Sequence, residues 1–89
     1  MLEEKLDDVI TEVEQQIKLV KIKLKNDKKD LKQLIKMLKD NDYLDNERVQ
    51  KDILRLTNEV SELDIRLYNL KKIHYRLRVC LTILNNESE

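Results

Sequence analysis

The spacing of apolar residues constrains this chain more than any other feature. Apolar side chains recur at alternating steps of three and four positions in two long runs, the heptad pattern of helices that pack along a shared seam. The chain contains no Gly and no Pro, the residues that most weaken helices. The first run is Leu6, Ile10, Val13, Ile17, Val20, Leu24, Leu31, Leu34 and Leu38, and the second is Val49, Ile53, Leu56, Val60, Leu63, Leu67, Leu70, Leu77, Leu81 and Leu84.

A polar segment separates the two runs. Residues 39–48 read KDNDYLDNER, and their Asp and Asn side chains favour turns and helix caps because they compete for backbone hydrogen bonds. Asp45 or Asn46 is a candidate N-cap for the second helix. We therefore expect a single domain over residues 1–89, with a helix over about 2–40, a turn over about 41–46, a helix over about 47–84 and a short frayed tail.

The pattern predicts an all-α fold, a long antiparallel two-helix coiled-coil hairpin. Folding the chain back at the turn brings position a of one helix against position d of the other, as for Leu38 and Val49. Charge agrees with this register, because the acidic residues 3–14 then lie beside the basic residues 71–78. The register also predicts three ion pairs on one flank: Lys21 with Asp64, Glu14 with Lys71 and Asp7 with Arg78.

The opposite flank, formed by heptad positions g and their neighbours, is not complementary within one hairpin. Lys23 meets Arg66 there, and Asp30 meets Glu59. Apolar residues extend past the seam on the same side, so a second hairpin could cover them and complete a four-helix bundle, either as a homodimer or as a helical heteromer. We call this surface the g-side flank; it comprises Leu2, Val9, Leu19, Lys23, Asp30, Glu59, Arg66, Ile73, Cys80 and Ile83, with Met37.

No group of residues suggests catalysis, a cofactor or a metal. His74 is the only histidine and Cys80 the only cysteine, and neither has partners at metal-ligand or nucleophile spacing. His74 and Asp27 are the polar interruptions of the two seams, a role that can fix register in a coiled coil. Tyr68 and Tyr75 are expected to be half-buried packing residues. The chain is not expected to be an enzyme.

Bulk charge and cysteine use indicate the class of partner and the compartment. Eighteen basic and eighteen acidic residues cancel, so nothing draws the chain to nucleic acid or to an anionic membrane. No apolar run is long enough to span a bilayer. A single cysteine cannot form an internal disulfide, which favours the cytoplasm.

The turn places four carboxylates at the tip of the rod, those of Asp40, Asp42, Asp45 and Glu47. Asp42, Asp45 and Asn46 resemble the acid, the second acid three positions later and the following Asn of the Gre-type transcript-cleavage factors. That resemblance implies a regulator that inserts its acidic tip into a polymerase channel and helps to hold a catalytic metal ion there. The glycine that precedes the tip in that family is missing here.

A structural role is the leading expectation. In length and all-helical character the chain is similar to tubulin-binding cofactor A and to the small chaperones of secretion-system needle subunits. We expect a non-enzymatic protein-protein interaction module, a scaffold, adaptor or small chaperone subunit that acts through the g-side flank. The alternative is the polymerase regulator that acts through the tip.

Overall fold

The computed structural model describes residues 2–40 and 46–87, and over these residues the chain is entirely helical. Helix α1 spans Leu2–Asp40 and helix α2 spans Asn46–Glu87. The two pack against each other as an extended hairpin, a rod of 70 × 15 × 14 Å. The predicted all-α hairpin is therefore confirmed.

The helix ends follow the charge distribution expected of a helix dipole. Glu3 and Glu4 lie in the first turn of α1, Lys39 in its last turn, and Glu47 in the first turn of α2. Helix α2 continues to Glu87, three residues beyond the predicted end at 84. The two N-cap candidates lie outside the described part of the chain, Asp45 entirely and Asn46 by its side chain.

The seam between the helices is where the periodicity predicts it. Every described residue of the two apolar runs is buried or half-buried, and so are the polar interruptions Asp27 and His74. No described side chain is fully enclosed, because two helices alone can cover only one side of each other. The most deeply buried apolar residues are Ile10, Val20, Leu24, Leu56 and Leu70.

Contacts between the helices are consistent with the antiparallel register. Nε2 of His74 lies 3.2 Å from Oε1 of Glu14, two residues 60 positions apart in the sequence. Nearer the free end of the hairpin, where α1 begins and α2 ends, Glu3 and Leu84 line one groove. Leu34 and Leu56 share another groove nearer the turn.

Neither described helix has an apolar stretch of the length and hydropathy needed to cross a membrane.

Candidate protein-binding surface

The hairpin exposes more large apolar side chains than it buries. Among the described residues, five apolar side chains are buried, whereas thirteen large apolar or aromatic ones are more than a third exposed. Scattered apolar residues are ordinary on a protein surface, so the informative ones are those that lie together on one face. The exposed side chains are Leu2, Val9, Leu19, Ile22, Ile35, Met37, Leu54, Ile65, Tyr68, Ile73, Tyr75, Val79 and Ile83.

The apolar members of the g-side flank all face outward. Val9 and Ile73 flank the seam and are a little under half exposed. Cys80 is exposed as well, so the single hairpin does not bury this thiol. The remaining apolar members, Leu2, Leu19, Met37 and Ile83, are also exposed.

The charged members of the g-side flank lie along two neighbouring grooves. The groove nearer the free end contains both Lys23 and Arg66, with Glu59 and Glu62. The groove nearer the turn contains both Asp30 and Glu59. Each like-charged pair therefore lines a common groove on the same flank, together with side chains of the opposite charge.

Two further charges, which the sequence reasoning missed, moderate these repulsions. Nη1 of Arg55 lies 3.4 Å from Oε1 of Glu59, an ion pair within one helix face. Glu62 shares the groove with Lys23 and Arg66, although none of the described acids comes within 4.0 Å of either cation. Simple i to i+4 spacing from Glu59 would have found Arg55.

Asp27 is the one buried acidic side chain in the described residues, with 9% of its surface exposed. Its Oδ2 has no hydrogen-bond partner. The side chain belongs to the seam but also lines the groove that contains Asp30 and Glu59. A carboxylate taken out of water without a partner destabilises the fold, so this oxygen is a place where a donor from another molecule would be stabilising.

His74 takes a partner that the register did not predict. Its Nε2 reaches Glu14, in place of the predicted pairing of Glu14 with Lys71. Over the described ranges, the pairs Lys21 with Asp64 and Asp7 with Arg78 do not close to 4.0 Å either. The predicted ion pairs on this flank are therefore wrong in this structure, because long exposed side chains gain too little from such contacts to be fixed by them.

Tyr68 and Tyr75 are not half-buried. They are 66% and 70% exposed, among the most exposed large side chains of the molecule. Each precedes a seam residue by two positions, which is about 200° around a helix and so on the side away from α1. The outer face of α2 therefore carries apolar and aromatic groups that seam analysis alone does not reveal.

The tip is only partly within the described residues. Asp40 ends α1 and Glu47 lies in the first turn of α2, and both are exposed. Asp42 and Asp45 lie outside the described residues, so the acidic-tip hypothesis stays a prediction. Within residues 2–40 and 46–87 no cluster of His, Cys, Asp and Glu has the arrangement of a metal site.

Comparison with family models, curated proteins and solved structures finds no match to this chain. Only the exposed surfaces of the described hairpin therefore bear on its function.

Proposed function

We propose that the chain is a cytoplasmic, non-enzymatic protein-protein interaction module, a scaffold, adaptor or small chaperone subunit, that assembles through its g-side flank. The observation that carries the proposal is that the apolar members of the g-side flank are exposed while most of the described seam is only half-buried. Two helices packed along one seam leave apolar surface exposed, and another chain can bury it. Helical hairpins commonly bury such surface by forming four-helix bundles.

The occupant that the charges of the flank favour is a second copy of the chain. A second hairpin can be turned end for end about a two-fold axis that crosses the helices between the two charged grooves. Lys23 and Arg66 of one copy then face Asp30 and Glu59 of the other, and the same contacts recur across the axis. Because this axis lies nearer the tip than the free end, the second copy covers the middle of the flank and leaves outside the contact Leu2, Val9, Cys80 and Ile83. If both tips lay at the same end, Lys23 and Arg66 of one copy would instead face the same two residues of the other copy. Like-charge repulsion disfavours that arrangement.

The unpartnered oxygen of Asp27 supports the same arrangement. It lies in the groove that contains Asp30, and that groove is where the turned second copy brings Lys23. A lysine ammonium carries three donors and can serve neighbouring carboxylates at once. In the homodimer a buried acceptor that lacks a partner within the hairpin would thus gain one.

Reversing the charges of the flank tests this proposal. One variant carries Lys23→Glu with Arg66→Glu, and the other carries Asp30→Lys with Glu59→Lys. In each variant the two substituted residues still carry the same charge as each other, so the repulsion within one hairpin is unchanged. The contacts between two identical copies, however, become repulsive. We expect each variant alone to be monomeric and the equimolar mixture to form a heterodimer, because the mixture restores opposite charges across the axis.

Native mass spectrometry and light scattering read the outcome, with far-UV circular dichroism to verify that each variant remains helical. A variant that dimerises alone as well as the natural chain does would contradict the proposal. A mixture of two helical variants that stays monomeric would contradict it equally.

A further inference from the structure

The second half of α2 carries a second, independent surface on the face away from α1. Its residues follow alternating steps of three and four and each precedes a seam residue by two positions, so they form a straight stripe opposite the seam. All of them are exposed. We call this stripe the α2 ridge; it comprises Ile65, Tyr68, Lys72, Tyr75 and Val79.

The ridge has a single sign of charge. Residues 65–83 include five cationic side chains and no carboxylate. Within the described parts of the chain, none of these cations has a carboxylate within 4.0 Å. The five are Arg66, which belongs to the g-side flank, Lys71 and Arg78, which share a groove with Glu14 of α1, and Lys72 and Arg76.

With the seam on one side and the ridge on the other, this half of α2 is apolar on two opposite faces. A helix of that kind is ordinarily packed on both faces in its functional state. The apolar positions of the ridge repeat with a heptad period, and that period matches the side-chain spacing of another α-helix.

We infer that the α2 ridge binds an acidic amphipathic helix of a different protein, with apolar residues against Ile65, Tyr75 and Val79 and carboxylates against the flanking cations. A second copy of α2 does not fit, because its own cations would face these. The aliphatic ends of the ridge, Ile65 and Val79, favour a helix over a nucleic-acid strand, which would use stacking rings and cations alone. The inference is independent of the homodimer, since the ridge and the g-side flank are different faces.

The probe is a synthetic peptide of about 28 residues, the length of four heptads, with Leu at positions a and d and Glu at positions e and g. A matched peptide carries Lys in place of every Glu. Fluorescence anisotropy of each labelled peptide measures its affinity for the full chain. We expect the Glu peptide to bind at least about tenfold more tightly than the Lys peptide, and its affinity to fall as salt is raised.

The chain offers a closely matched control for the ridge. Ile65 is 60% exposed on the ridge, and Ile22 is 59% exposed on the outer face of α1. We expect Ile65→Ser combined with Tyr75→Ser to weaken the Glu peptide by about tenfold or more, and Ile22→Ser to change it by less than about twofold. Both variants alter exposed side chains and should retain the helicity of the natural chain.

Several outcomes would overturn the inference. They are no binding of the Glu peptide, equal binding of the Lys peptide, or equal losses in the ridge variant and in Ile22→Ser. Ridge-dependent binding of phosphatidylserine vesicles or of a single-stranded oligothymidine, without binding of the Glu peptide, would replace the helix with a membrane or a nucleic acid. Repeating the titration with a Lys23→Glu chain separates the two proposals. That change repels a second copy at the g-side flank without adding a cation there, and the ridge should still bind the Glu peptide.

Discussion

The two helices of the hairpin contribute the same kind of seam but have different outer faces. On α1, the positions two residues before each seam residue are almost all polar, and Ile22 is the apolar exception. On the second half of α2, the same positions form the α2 ridge. Helix α1 buries three apolar residues and Asp27, whereas α2 buries only Leu56 and Leu70.

This difference indicates which helix the hairpin leaves incomplete. A helix with one apolar face is satisfied by one neighbour. Apart from its part of the g-side flank, α1 has that neighbour in α2. The second half of α2 has an apolar face that α1 cannot reach. Outside the g-side flank, α1 only completes the hairpin, whereas the second half of α2 also carries an exposed apolar ridge.

The largest effect should come from emptying the seam. Leu24→Ala removes a buried side chain of α1 and should lower the free energy of unfolding by about 2 to 5 kcal/mol. Ile65→Ala on the α2 ridge should change it by no more than about 0.5 kcal/mol. Urea denaturation at one fixed protein concentration measures both free energies of unfolding. Equal losses would contradict the claim that the seam stabilises the hairpin and the ridge does not.

The next effect concerns the polar interruption of the α1 seam. In the monomeric Lys23→Glu, Arg66→Glu chain, Asp27→Leu removes the unpartnered oxygen and adds an apolar contact, so it should raise the free energy of unfolding by about 1 to 3 kcal/mol. Asp30→Leu is the control, since Asp30 is exposed one turn away and should give no comparable gain. Denaturation in urea again measures the change, and a destabilised Asp27→Leu chain would mean that the carboxylate is satisfied by a contact essential to the fold.

A smaller effect should distinguish the g-side flank from the outer face of α1. Ile73→Glu adds a charge within the proposed dimer contact and should weaken dimerisation by about tenfold, which is about 1.4 kcal/mol. Ile22→Glu adds the same charge on the outer face and should leave the dimer nearly unchanged. Sedimentation equilibrium gives both dissociation constants, and the account fails here if Ile22→Glu is the more damaging change.

The smallest effect should come from the ion pair on α2. Arg55→Gln breaks the contact with Glu59 at 3.4 Å, and exposed pairs at this spacing contribute about 0.3 to 0.5 kcal/mol. Thermal unfolding measures this loss. The control is Lys51→Gln, because Lys51 is an exposed cation of α2 without an ion pair among the described residues. A loss above about 1 kcal/mol would show that Arg55 does more than pair with a neighbour.

Heptad spacing was enough to predict the hairpin, the seam and the position of each like-charged pair. Those features depend on Cα positions, which a regular helix fixes once the register is known. The predicted ion pairs were wrong because such contacts depend on the rotamers of long side chains. Glu14, for example, is paired with His74 and not with the predicted Lys71. The exposure of Tyr68 and Tyr75 was missed because they lie off the seam, although their offset of two positions was already present in the sequence.

The central claim is that one hairpin is an incomplete assembly and that a second copy covers the middle of its g-side flank. Light scattering of the natural chain across a concentration series tests this claim most directly. The account predicts a mass of twice the 10.8 kDa of one chain. A mass of one chain at every concentration, in a fully helical sample, would contradict it.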